Sequence, residues 1–137
     1  MVIGSAEISV GGNAVVPLTA RRISDPKGLA AFEIVIKYDP LAVRIDEVQA
    51  PKKFEGLGEA QEGGTLISRI RPERGAVYII AFHTDIPGPT GDVELAKLSL
   101  TGIKPGIWPL EVRLDVLANT DGEPIPAAAM SAVVTVR

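Results

Sequence analysis

Glycine and proline interrupt this sequence at short intervals from one end to the other. The chain of 137 residues contains 14 glycines and 11 prolines. Proline ends helices and central strands, and glycine favours tight turns, so the intervals between them limit the length of any regular element. No segment repeats apolar residues with the period of an amphipathic helix, whereas several alternate apolar and polar residues. The pattern therefore predicts an all-β fold with little helix.

Nine segments have the composition and alternation of strands. Leu29 to Tyr38 places Phe32, Ile34 and Ile36 on one face. Ile107 to Val116 alternates as regularly, with Leu114 and Val116 expected on the same inward face as Trp108. The predicted strands are 3–10, 14–20, 29–38, 43–48, 65–71, 76–84, 93–101, 107–116 and 127–136. Short strands at this spacing are typical of a two-sheet sandwich or a barrel, here one domain over residues 1–137. The stretch 50–64 is polar and is predicted to be irregular, with one short helical turn around Phe54.

Composition argues against several classes of function. The net charge is −3 and aromatic residues make up 4%, so neither a basic surface nor stacking platforms favour nucleic-acid binding. There is no cysteine, and His83 is the one histidine, so the sequence offers no recognisable metal-ligand set or catalytic triad. The longest apolar stretch, Ala76 to Phe82, is too short to span a membrane. We therefore expect a chain that is not an enzyme and holds no cofactor.

Three further features of the sequence have structural interpretations. Asp39 is expected to cap its own turn with its carboxylate, and Asp121-Gly122 is a turn dipeptide. Trp108 falls on the inward face of its strand, so we expect it to pack in the core. None of the three is assigned a ligand.

Several segments, in order, resemble the cohesin domain. Gly12 to Leu18 reads G-N-A-V-V-P-L, similar to the family's G-x-x-V-x-V-P-V. Gly28 to Pro40 is similar to its G-x-x-x-F-x-x-x-x-Y-D-P segment, and Ala118 to Gly122 fits its final turn. Segments 42–48 and 93–100 also match the family pattern. The resemblance covers essentially the whole chain.

This resemblance implies a nine-stranded jelly-roll β-sandwich that binds a dockerin domain through one sheet face. Calcium would belong to the dockerin, and the chain would be part of a larger exported protein, extracellular or at the cell surface, with any signal peptide outside this sequence. In type I cohesins the strand before Tyr-Asp-Pro contributes an Asn and an Asp to that face. The matching positions here are Ala31 and Glu33, and an acidic position of the sixth strand falls near His83. These departures favour a non-cellulosomal or divergent member.

The residues themselves predict the same kind of surface. Ala76 to Thr84 is apolar on both faces, so that if one face fills the core, Tyr78, Ile80 and Phe82 point outward. Tyr78 and Phe82 are the expected anchors, because aromatic side chains often dominate interface centres. Neighbouring strands are expected to add apolar and charged side chains around them. The predicted partner-binding residues are Ala31, Glu33, Val35, Tyr78, Ile80, Phe82, His83, Leu95 and Lys97.

Other interpretations stay open from the sequence. A jelly-roll carbohydrate-binding module would require exposed coplanar aromatic rings, and a structural domain of a surface protein would have no specific partner. A weak homodimer through the same apolar patch is also compatible with the pattern. A loop such as 50–64 could instead cover the apolar strand, or the strand could be shifted by one residue, which would reverse both faces.

Overall fold

The structure is a computed structural model that describes residues 2–50, 65–82 and 90–137. The helical turn expected near Phe54 and the site residue His83 lie outside this part of the chain. The strands are β1 (Val2–Ile3), β2 (Ala6–Ile8), β3 (Asn13–Ile23), β4 (Leu29–Lys37), β5 (Val43–Gln49), β6 (Thr65–Arg71), β7 (Ala76–Phe82), β8 (Gly91–Gly102), β9 (Gly106–Asn119) and β10 (Ala132–Val136). One 3₁₀ turn, Pro72–Arg74, separates β6 from β7.

The strands form two sheets that face each other. One sheet has the order β1-β3-β8-β5, and the other has the order β2-β10-β9-β4-β7-β6. Neighbouring strands are antiparallel except for β2 and β10, which are parallel. The all-β jelly-roll sandwich expected from the sequence is confirmed. Among the described residues, no helix is long and apolar enough to cross a membrane.

The inner faces of the two sheets form one apolar core. Alternation directs every second side chain inward, so that the six-stranded sheet contributes Phe32, Ile34 and Ile36 from β4. The four-stranded sheet packs Leu18, Leu98 and further aliphatic side chains against them. Trp108 is half-buried against this core, and its indole Nε1 donates a hydrogen bond to the Lys104 carbonyl at 2.8 Å.

The first predicted strand is divided between the two sheets. β1 pairs with β3 in the four-stranded sheet, whereas β2 pairs with β10 in the six-stranded sheet. The chain changes sheets at Gly4, where a Cβ atom would lie 2.9 Å from the Cδ of Pro17. Nine predicted strands thus become ten observed strand segments.

Two tight turns hold one end of the sheet that carries the candidate site. Gly75 ends the 3₁₀ turn with φ 59°, and a Cβ there would lie 2.6 Å from the Tyr38 carbonyl oxygen, so only glycine fits. Asp39 accepts a hydrogen bond from the Leu41 backbone N–H at 2.9 Å. The predicted capping role of Asp39 is therefore confirmed.

Candidate partner-binding surface

Strand register aligns side chains into cross-strand rows on the outer face of the six-stranded sheet. β7 lies between β6 and β4, and β4 lies between β7 and β9. Ile80 is opposite Ile67 on one side and Glu33 on the other. Glu33 in turn is opposite Val116 of β9. A second row, displaced by two residues, runs through Phe82 and Ala31 to Ala118.

An apolar patch occupies one end of this face. We define it by Ile67, Ile80, Phe82 and Val116, whose exposed fractions are 49%, 42%, 48% and 37%. Half-buried Ala31 lies beside Phe82 in register. Large apolar side chains this exposed and this close together usually mark a surface that another molecule covers.

The outward orientation predicted for β7 is confirmed. Ile80 and Phe82 are exposed, and Tyr78 is half-buried, while Ile79 and Ala81 between them are buried. Ala31 and Glu33 of β4 lie on the same face and are half-buried. Contact with a partner remains a prediction for each of these side chains.

Val35 differs from the prediction in its exposure. It belongs to the outer-face row of Tyr78 and Arg113, but only 4% of it is exposed. Val35 is the smaller side chain between two long ones on a central strand, so its neighbours shield it from solvent. It forms the floor of a depression of about 190 Å³. The other residues around this depression include Glu33, Tyr78, Ile80, Arg113 and Asp115.

The prediction for Leu95 and Lys97 is wrong about their position. Both lie on β8, which belongs to the opposite, four-stranded sheet. Leu95 is fully buried, because the register between β3 and β8 shifts there and places Leu95 and Ala96 both inward. Lys97 is exposed, but on the far side of the sandwich, where its Nζ lies 3.6 Å from Glu94.

Two members of the apolar patch were not predicted. Ile67 shares the outer face of β6 with Arg69 and Arg71, an alternation that could have identified it. Val116 was expected to face inward with Leu114. A register shift between β4 and β9 inserts Asp115 as an extra residue, and this shift turns Val116 outward. The sequence carries no equivalent signal for that shift.

The Arg113 side chain is held beside the depression by Asp115. Its Nε and Nη2 atoms donate to the two carboxylate oxygens at 2.9 and 3.2 Å. The Asp115 carboxylate holds the pKa of Arg113 above its usual value. The two side chains therefore lie in fixed positions at the edge of the depression, and their charges largely neutralise each other.

The outer face of the four-stranded sheet has a different character. Arg44 Nε and the Thr101 hydroxyl each lie 2.5 Å from a different carboxylate oxygen of Asp46. Burial acts to raise the pKa of Asp46, but these hydrogen bonds outweigh it and hold the pKa below its usual value. Charged and polar groups satisfied within one sheet are typical of a solvated surface.

The described residues do not assemble catalytic or metal chemistry. No group of three or more His, Cys, Asp or Glu side chains in this part of the chain could hold a metal ion. A sugar-binding platform would require exposed aromatic rings. Tyr38 is buried and Trp108 is half-buried, so neither ring is open to a sugar. The arrangement suits contact with another macromolecule through the apolar patch.

Comparison with known proteins shows the fold. Neither a family model nor a curated protein matches the sequence. Among solved structures, a chain of a type I cohesin–dockerin complex from Clostridium thermocellum has a TM-score of 0.83 at 17% identity, covering 99% of this chain and 96% of that one. The cohesin CaCohA2 from Clostridium acetobutylicum has a TM-score of 0.77 at 21% identity, with coverages of 98% and 88%.

An archaeal structure is also similar. The non-cellulosomal cohesin from Archaeoglobus fulgidus has a TM-score of 0.76 at 14% identity, covering 98% of this chain and 88% of that one. The chain therefore has the cohesin fold over essentially its whole length. The resemblance seen in the sequence is confirmed at the level of the fold.

Proposed function

We propose that this chain is a non-catalytic protein-binding module that receives a dockerin domain on the outer face of β6, β7, β4 and β9. The observation that carries the proposal is the apolar patch of Ile67, Ile80, Phe82 and Val116, which lies open on one sheet. The outer face of the opposite sheet carries mainly charged and polar side chains. Solved structures with this fold include two that are described as type I cohesin–dockerin complexes. The module would serve to assemble or anchor extracellular proteins.

The proposal assigns calcium to the partner. Among the described residues, no group of three or more His, Cys, Asp or Glu side chains could hold a metal ion. The chain would be one part of a larger exported protein at the cell surface or outside the cell. Its identity to the three structures described above is 14–21%, which supports a divergent member.

Dockerin domains encoded in the same genome provide the test. Each is immobilised with calcium, and binding of the chain is measured by biolayer interferometry. We expect at least one to bind, and we expect Phe82→Ala to weaken that complex about 30-fold, because truncating an aromatic anchor costs ~2 kcal/mol. Chelation of calcium should abolish binding without lowering the melting temperature of this chain.

A matched control is Val15→Ala. Val15 is 55% exposed on β3 in the opposite sheet, so its truncation should leave binding unchanged. Absence of any dockerin complex, or a folded Phe82→Ala variant with unchanged affinity, would contradict the proposal. Retention on insoluble cellulose or chitin would favour a carbohydrate-binding module. A concentration-dependent dimer lost in Phe82→Ala would assign the patch to a second copy of the chain.

A further inference from the structure

The outer face that carries the apolar patch has a second, charged region toward its other end. Lys37, Arg69, Arg71 and Arg113 lie there, and we call these four residues the basic band. Arg69 and Arg113 share a row with Tyr78 and Val35. Arg71 and Lys37 occupy the next row, on either side of Ala76. The band therefore crosses the sheet beside the apolar patch.

Two of the four cations in this band, Lys37 and Arg69, have no close counter-charge in the part of the chain that the structure describes. Arg113 is paired with Asp115, and Arg71 lies 3.9 Å from Glu73. Within residues 2–50, 65–82 and 90–137, no carboxylate comes within ion-pair distance of Lys37 or Arg69. Glu111 is opposite Lys37 in register without forming an ion pair. Lys37 and Arg69 are thus unpaired within the described residues, on a chain whose net charge is −3.

The distance between the two regions suits one continuous element of a partner. Phe82 and Ala76 are separated by six residues along β7, so the apolar patch and the far edge of the basic band lie ~20 Å apart at strand rise. A helix of roughly 13 residues has that length. A single helix along β7 would cover the apolar patch with one end and the basic band with the other.

We propose that the partner presents a contact segment that is apolar at one end and acidic at the other, with the acidic end against Arg69, Arg71 and Lys37. The inference rests on the proposed function and specifies the chemistry of the dockerin received there. Uncompensated cations at an interface favour a partner of opposite charge and accelerate its association. The adjoining apolar patch favours a protein partner, because a nucleic acid bound to the basic band would leave the patch exposed.

Charge reversal tests the proposal with the dockerin that the wild-type chain binds. Arg69→Glu/Arg71→Glu should reduce the association rate constant by about tenfold at low salt, and the difference should shrink at high salt as charges are screened. The matched control is Arg21→Glu/Lys97→Glu, which makes the same change in net charge on the exposed face of the four-stranded sheet. The control should stay close to wild type.

A reciprocal change of charge on the dockerin tests whether its acidic residues contact Arg69 and Arg71. Replacing acidic residues of the dockerin contact helix by lysine should restore binding to Arg69→Glu/Arg71→Glu and weaken binding to wild type. If a dockerin binds wild type but both double variants bind equally well, the inference fails and the proposed function stands. If no dockerin binds wild type, both fail. Binding of a duplex DNA or RNA oligonucleotide that requires Arg69 and Arg71 would also overturn the inference.

Discussion

At the scale of single residues, local register decides which side chains reach solvent. Leu95 and Val116 both lie in strands that alternate regularly in the sequence, yet each has the orientation opposite to the predicted one. Each lies next to a register shift with a neighbouring strand. An extra residue in one strand turns the side chains that follow it to the other face. Exposure at such positions depends on the neighbouring strand as much as on the local sequence.

Leu95 provides a stability test of this account. Because Leu95 is fully buried, Leu95→Ala should lower the free energy of unfolding by about 3 kcal/mol, as core truncations of leucine do. Lys97→Ala, two residues further along β8, should change it by less than ~0.5 kcal/mol, because Lys97 is exposed. Urea titration followed by circular dichroism measures both. Similar small effects for the two variants would indicate that Leu95 faces solvent.

At the scale of elements, the loop before β4 is tied to the turn after β9 by a polar cluster. The Lys27 ammonium bonds to the carboxylates of Asp121 and Glu123. The Asn119 amide nitrogen donates to Asp25 at 2.9 Å and to Glu123 at 3.2 Å. The cluster joins the ends of β4 and β9, the two central strands of the six-stranded sheet. It also explains the Asp121-Gly122 turn predicted from the sequence, in which Gly122 has φ 79°.

The pKa shifts in this cluster set the pH range in which it stabilises the fold. Hydrogen bonds from Lys27 and then Asn119 lower the pKa of Glu123 from 4.5. Bonds to Asp121 and Glu123 raise the pKa of Lys27 above 10.5. A lowered carboxyl pKa contributes stability above 4.5 that is lost as the pH falls through the folded value. A raised ammonium pKa contributes stability below 10.5 that is lost as the pH rises through the folded value.

Substitution of Lys27 should therefore have a pH-dependent effect. We expect Lys27→Met to lower the melting temperature between pH 4.5 and 10.5 and to approach wild type on acidification. Lys37→Met is the matched control, since exposed Lys37 forms no ion pair with the described residues. Scanning calorimetry across pH gives both differences. A Lys27→Met deficit that persists below the lowered pKa of Glu123 would mean that packing, not charge, holds the loop.

At the scale of the whole molecule, strands from opposite ends of the chain pair directly. β2 and β10 align Ala6 with Val134, and the Arg137 backbone N–H donates to the Ile8 carbonyl at 2.9 Å. Val134 and Val136 are buried in the core shared by both sheets. β10 therefore contributes to the core and is not a peripheral addition to the sheet.

Removal of residues 132–137 should prevent folding. The truncated chain would leave β2 and the first half of β9 unpaired and would expose core residues of both sheets. We expect it to lack a cooperative thermal transition and to show poor dispersion in its proton NMR spectrum. The control Val133→Ser changes an exposed residue of the same strand and should retain the native transition. Cooperative unfolding of the truncated chain would contradict this expectation.

The sequence alone determined the all-β class, the approximate strands and the outward face of β7. Tyr78, Ile80 and Phe82 could be predicted because alternation within one uninterrupted strand is a local property with a period of two residues. Only the tertiary structure decided that β8 belongs to the opposite sheet and that Ile67 and Val116 join Phe82 in one patch. Those outcomes depend on pairing between strands distant in the chain and on register shifts, and no local pattern encodes either.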